Sequence, residues 1–415
     1  MKKPFHKHVI HGAKNFHRHF TKYLYERDTV FATLWVFVFI IVLGSIQLNL
    51  GSLNPIKLGL KDFDFNDLSY SKLGKAEKNL RDSRIIIVNI GQADREVLAM
   101  LINKVGSLNP KVMALDAYFA EAGDPVQDSS LSEAFRRNKK LIAATVLDLS
   151  GKEGDTIKLT KNYINTASQY AYVNFFTDSV SSIRYYEPFV KDYMHKLYKS
   201  FPAAIAEAYD STAYKKLEKK GISKIMINYT RSVKQYLVMD YEDVLTGRIA
   251  DTALTGKIVL LGYVNNNPAD ITDKFFTPMN SRFYGKSVPD MNGIVLHANI
   301  ISMVLDKNYI KKLPSWVNWF IAVVICWLHM SFFIRYYLES HIWFHLVAKI
   351  AQVLSAIFFV WLGIYLFDTY RLKVDLKISL LVIIMAVDVI YFYEAWAVWM
   401  HKKYKYHTVF KPHQH

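Results

Sequence analysis

The chain has 415 residues, 52% apolar, 15% aromatic and 21% charged, with a formal net charge of +16. Four long apolar segments lie towards the two ends with ordinary globular sequence between them, so a wholly soluble protein is excluded. Residues 51–314 hold 36 Lys+Arg against 29 Asp+Glu; no clustered basic face results, and no nucleic-acid partner is expected.

The N-terminal tail places Phe5, Val9, Phe16, Phe20 and Tyr23 on one helical face, with Lys7, Lys14, Arg18 and Lys22 elsewhere. That pattern predicts a basic helix lying on the inner leaflet, with membrane lipids as its partner. His6, His8, His11, His17 and His19 share no metal-site spacing and have no acidic or cysteine companion, so no metal is expected. Residues 29–50, TVFATLWVFVFIIVLGSIQLNL, are long enough to cross a hydrocarbon core of about 30 Å. Gly44-Ser45-Ile46 is a poor cleavage site, which favours an anchor over a signal peptide.

From Arg84 the patterning changes. RIIIVNIG (84–91) is a continuous apolar run typical of a buried parallel strand. Asp94 is placed to cap a helix carrying Val97, Leu98, Leu101, Ile102 and Val105 on one face. KVMALD (111–116) completes a βαβ unit, and a helix over 129–137 and a strand over 140–147 extend it. Residues 171–190 predict a hairpin-like pair. A helix over 201–209, a strand over 224–229, a short helix over 241–245 and a strand over 257–264 follow. The last element is an amphipathic helix over 293–305.

Three further spans are predicted at 315–334, 343–367 and 376–400, joined by short turns at 335–342 and 368–375. Seven Lys/Arg in residues 1–28, and Lys402, Lys403, Lys405 and Lys411 in residues 401–415, put both tails in the cytoplasm and residues 51–314 outside. Arg371 and Lys373 in the outer turn oppose this, and the tails outweigh them. The lone cysteine, Cys326, lies inside a span and permits no disulfide within the chain.

The order of segments resembles a known family. IIIVNIGQADREVLAMLINKV, PKVMALDAYFAEAGD and LIAATVL are similar to the opening of the type-two CHASE domain, AYVNFF and SFPAAIAEAY to its middle, and LTGKIVLLGYVNNNPADITDKFFTP and PDMNGIVLHANIISMVL to its close. The resemblance covers roughly residues 52–400. It implies an α/β extracytoplasmic sensor-type domain with a largely parallel sheet, followed by three membrane helices. It also implies a sensor in a bacterial inner membrane with its domain in the periplasm. Family members commonly carry a cytoplasmic cyclase, kinase or phosphatase domain. Only fifteen residues follow the last span here, so a separate output protein is the expected partner. Asn89-Ile90-Gly91-Gln92 stands where the family usually has an acidic strand end. The rival expectation is a structural subunit that uses the domain to dock a cell-envelope complex. A homo-oligomer is compatible with either.

Ligands of open α/β sheets sit beyond the carboxyl ends of the strands. Asp116, Asn228, Tyr229, Asp270, Thr277 and His297 are candidates to converge there on a small ligand; the alternative is that they satisfy loop amides and turns. His329, Lys349, Asp388 and Glu394 form a candidate intramembrane cluster, because isolated charges are costly in lipid and should pair. The structural expectation for the cluster is a salt bridge holding the bundle together; the alternatives are contact with a partner's membrane helix or a proton-coupled role. No Walker loop, G-x-S-x-G elbow or H-E-x-x-H occurs, so neither catalysis nor a cofactor is expected.

Overall fold

The computed structural model describes residues 23–45, 64–71, 81–148, 158–160, 162–176, 182–192, 195–280, 288–339 and 341–410. In chain order these hold α1 (Arg27–Ser45), β1 (Ile85–Asn89), α2 (Arg95–Ser107), β2 (Val112–Leu115), α3 (Pro125–Arg137), β3 (Leu141–Thr145) and β4 (Gln169–Tyr172). There follow α4 (Phe201–Tyr209), α5 (Ser211–Glu218), β5 (Leu237–Asp240), α6 (Tyr241–Leu245), β6 (Ile258–Gly262) and α7 (Gly293–Asp306). The chain then runs through α8 (Ser315–Glu339), α9 (His341–Tyr370) and α10 (Lys377–Tyr404), with two-residue ladders and single helical turns between. The elements divide into two units, Asp62–Ile310 and the remainder. The expected tail helix and its histidines 6–19 lie outside the described residues.

In the α/β unit six strands form one parallel sheet in the order β5-β1-β6-β2-β3-β4. Strands β1, β2, β3 and β6 are almost wholly apolar, as burial on both faces requires. Ile86, Val88, Met113, Leu115, Val259 and Leu261 face a core closed by Leu98, Leu101, Ile102 and Val105 of α2 and Leu131 and Phe135 of α3. On the other face α4 packs on β2, β3 and β4, and α7 on β6. Asp94 caps α2 by accepting from the Val97 amide at 2.9 Å, as its position predicts. Helix α3 starts four residues earlier than its apolar pattern suggests. Asp124 accepts from the amides of Val126 and Gln127, and Pro125 takes the first turn, where its missing N–H costs nothing.

Three expectations need correction. The hairpin over 171–190 does not form: its first half is β4, a parallel edge strand beside β3. Tyr185–Tyr186 instead pairs with Ile225–Met226, and Phe189–Lys191 with Leu197–Lys199. The strand expected over 224–229 is only that two-residue ladder. Helix α7 is not amphipathic, since every residue from Gly293 to Leu305 is buried. Strand β5, short and part-exposed at the sheet edge, carried too little pattern to be read.

Among the described residues, the second unit holds four helices long and apolar enough to cross a membrane. Their cores agree with the expected spans, while α8, α9 and α10 run further, to Glu339, from His341 to Tyr370, and to Tyr404. Helices α1, α8 and α10 interlock around Ala32, Val36, Cys326, Met330, Phe333, Ile383, Val387, Ile390 and Tyr393. Helix α9 is the least buried of the four. Its Gln352 amide, itself buried, donates to the carbonyls of Ile383 (2.7 Å) and Ile384 (2.9 Å), fixing α9 against α10. At the start of α1 the buried Asp28 carboxylate accepts from Tyr393 Oη (2.6 Å), Thr408 Oγ1 (3.1 Å) and the Val409 amide (2.6 Å), while Arg27 donates to the His407 carbonyl. The start of α1 and the segment after α10 are therefore tied together at one end of the bundle.

Candidate functional site

A parallel sheet brings every strand's carboxyl end to one edge. Asn89, the last residue of β1, stitches three of them: its amide donates to Asp240 at the end of β5 (2.9 Å), and its oxygen accepts from the Gly91 and Val264 amides. Asp116 follows β2, and its own amide donates to the Leu261 carbonyl of β6 at 2.8 Å. The loop leaving β6 then carries Asp273 to the first turn of α7, where the Gly293 amide donates to the Asp273 carbonyl at 3.0 Å. Gly293 packs tightly: a Cβ there would lie 3.0 Å from Asp273 Oδ1 and 3.2 Å from the Phe275 ring, so those neighbours would have to give by a few tenths of an ångström.

The Asp273 carboxyl therefore stands at the first turn of α7, and its charge is felt at Asp116. Burial, with the Asp273 charge adding to it, pushes the Asp116 carboxyl up to about 7. Asp273 is exposed as a residue, but partial desolvation of its carboxyl at this edge pushes it up to about 6, against a lowering hydrogen bond with Gly293. Beyond Asp273 an aromatic run leads inward: Phe275 meets Phe175 edge-on at 5.6 Å, and Phe175 stacks on His297 at 4.9 Å. Phe201 closes the other side of the imidazole at 5.3 Å. His297 is 2% exposed, its Nδ1 finds no hydrogen-bond partner among the described residues, and burial lowers its pKa to about 3, so the ring is neutral. The Asn292 Nδ2 at the cap of α7 is likewise buried without a partner among the described residues. Chemically, the edge offers two carboxyls that repel each other's charge and so favour a proton or another positive group between them. Among the described residues no three His, Cys, Asp or Glu side chains are grouped to hold a metal ion.

The other expected residues lie elsewhere or act locally. Asn228 sits at the opposite end of α7, its amide donating to the Asn308 carbonyl (3.1 Å) and its backbone N–H to Met303 Sδ. Tyr229 donates to the Ile183 carbonyl at 2.6 Å and packs edge-on to Tyr70. Asp270 closes its own loop, accepting from the Thr272 amide, Tyr263 Oη and Asn265 Nδ2; hydrogen bonding from Thr272 is the main reason its carboxyl stays below the usual range. Thr277 donates its hydroxyl to Asp290 at 2.6 Å. Asp116 is coupled by charge to Asp273, Asp273 and Phe275 both flank Gly293, and Phe275 and Phe175 lead on to His297; Asn228 and Tyr229 are not part of the group.

A second polar group, also unread in the sequence, runs beside the last two turns of α7. Asp82, 4% exposed, accepts from Arg84 Nε (2.8 Å) and Nη2 (2.7 Å) and from Ser302 Oγ (2.8 Å). Arg84 also reaches Asp306 at 2.7 Å, and Arg231 meets the same carboxylate at 3.2 Å.

The four intramembrane candidates do not gather into one cluster. His329 Nδ1 lies 2.8 Å from the Ile325 carbonyl of its own helix, and Glu394 accepts from Tyr337 Oη at 2.6 Å. Lys349 Nζ and Asp388 Oδ1 are 3.9 Å apart, with side chains 57% and 58% exposed. The pair bridges α9 and α10 loosely, and Gln352, about one turn along α9, adds two shorter hydrogen bonds to α10.

No curated protein and no solved structure matches the chain. The family model for the CHASE2 domain matches residues 37–333, from the middle of α1, through the whole α/β unit, to Phe333 of α8. The chain therefore belongs to the CHASE2 domain family.

Proposed function

We propose that this protein is a bacterial inner-membrane sensor. Its α/β unit lies in the periplasm, both termini lie in the cytoplasm, and a separate output protein receives its signal. CHASE2 is an extracellular sensory family, and the match over residues 37–333 is the observation that carries the reading. The reading site is the carboxyl edge at Asp116 and Asp273, which takes up a proton or a positively charged group. The polar seam of Asp82, Arg84, Ser302 and Asp306 supports the route onward. It fixes the entry to β1 against the last turns of α7, and residues 307–314 join that helix to α8 in the chain. No catalytic step is assigned to the chain.

The test is extraction in mild detergent from its own cells, comparing wild type with Asp116→Asn. A kinase, cyclase or other regulator is expected at fixed stoichiometry, with an activity that differs between the two preparations. Recovery of envelope-assembly components alone, unchanged by the substitution, would replace the sensor with a docking scaffold.

A further inference from the structure

We propose that the exposed face of α9 and α10 around Lys349 and Asp388 is the surface through which two copies of this chain associate in the membrane. Lys349 lies eight residues into α9, about 12 Å along the axis at 1.5 Å per residue. Its surroundings are apolar: Leu346, Ile350, Val353 and Ile384 all present exposed side chains. A half-exposed ammonium and a half-exposed carboxylate there leave most of their surface to hydrocarbon, where charge is poorly solvated. The 3.9 Å separation is a loose pairing that leaves both groups with unused hydrogen-bonding capacity.

One turn away the same face carries a second polar pair. The ring of His345 stacks on Tyr391 at 5.6 Å, with Tyr391 Oη 3.0 Å from His345 Nε2. The patch thus puts His345 and Lys349 on α9 beside Tyr391 and Asp388 on α10, and the Gln352 clamp fixes the two helices in that register.

Self-complementarity selects the occupant. Lys349 and Asp388 are close enough to share one depth in the bilayer. A two-fold axis along the membrane normal preserves depth, so it sets Lys349 of each copy against Asp388 of the other. Both cross-pairs then form together and remove all four charges from lipid. Any other partner would need its own matched pair at that depth; a second copy has one by construction. The association does not depend on what the α/β unit senses.

The experiment uses full-length chains with two different tags, co-expressed and reconstituted in lipid nanodiscs large enough for two copies at excess lipid. Wild-type chains are expected to co-purify across tags. K349D leaves two carboxylates on the patch and D388K two ammonium groups, so each alone is expected to lose self-association. Mixing the K349D and D388K chains is expected to restore it, because each then supplies what the other lacks. The double variant K349D/D388K keeps one charge of each sign and is expected to associate as wild type does, which separates pairing from misfolding. Wild-type chains that stay monomeric overturn the proposal. So do single variants that still pair with themselves, or a K349D and D388K mixture that fails to pair while the double variant self-associates. Displacement of the second copy by a different membrane protein in native extracts would likewise overturn it.

Discussion

Replacing Asp116 by Asn should change how the stability of the α/β unit depends on pH. In the folded chain burial and the Asp273 charge raise the carboxyl from the ordinary 3.8 to about 7. A raised carboxyl pKa means that the folded state holds a proton the unfolded state has released. Stability is therefore greatest below about pH 4, falls as pH rises towards 7, and is level above that. At about 1.4 kcal/mol per pKa unit the full shift would amount to roughly 4 kcal/mol. Partial solvent access at the strand end and sharing of charge with Asp273 reduce this to about 2 kcal/mol. All eight tryptophans lie outside Asp62–Ile310, so tryptophan fluorescence reports on the helical unit alone. Amide hydrogen exchange of the β2 and β6 peptides, corrected for intrinsic rates, reads the sheet directly. Wild type should lose about 2 kcal/mol of protection between pH 4.5 and 8 relative to Asp116→Asn. Parallel profiles for the two proteins would refute the charge coupling at this edge.

Other sites give independent tests. Gly293→Ala drives a methyl against the Asp273 carboxylate and the Phe275 ring; it should cost about 2 kcal/mol and loosen the start of α7 in hydrogen exchange. Arg84→Ala strands the buried Asp82 carboxylate and should destabilise the α/β unit by about 3 kcal/mol, measured by denaturant titration of the same peptides. In wild type, burial alone would raise the Asp82 carboxyl, but Arg84 and Ser302 outweigh it and hold it below the ordinary value. Its stabilisation is thus present above about pH 4 and lost as pH falls further, and Arg84→Ala should remove that acid-limb loss. Asp28→Ala removes an acceptor for three donors and should cost about 3 kcal/mol. Trypsin should then cut at Lys402–Lys405 faster than in wild type.

Elements with one strong local signal were legible from sequence. Continuous apolar runs marked β1, β2, β3 and β6, and Asp94 marked the start of α2, because burial on two faces and a capping carboxylate leave plain traces. Tertiary context overrode the rest. Ala171 and Tyr172 look like half of a hairpin, yet they bond to β3, since a sheet edge open to a parallel neighbour competes with the local turn. Helix α7 reads as amphipathic because His297, Asn299 and Ser302 are polar; all three are buried, Asn299 bonded to Arg231 and Ser302 to Asp82. Asp116 and His297 could be singled out from strand-end position and residue type. Asp273 could not, because only the close passage of its loop past Gly293 gives it a role. In the membrane unit, Lys349 and Asp388 were matched by depth alone; which side of the bundle they face depends on how α9 packs, and helical length does not encode that.

The most direct test of the account is the side of the membrane on which the α/β unit lies. In a Cys326→Ala background, Ser129→Cys on exposed α3 and, separately, Lys403→Cys at the exposed end of α10 would be treated in intact cells with a membrane-impermeant maleimide. Ser129→Cys is expected to label without permeabilisation and Lys403→Cys only after it. Labelling in the reverse pattern would put the α/β unit in the cytoplasm and contradict an extracytoplasmic sensor.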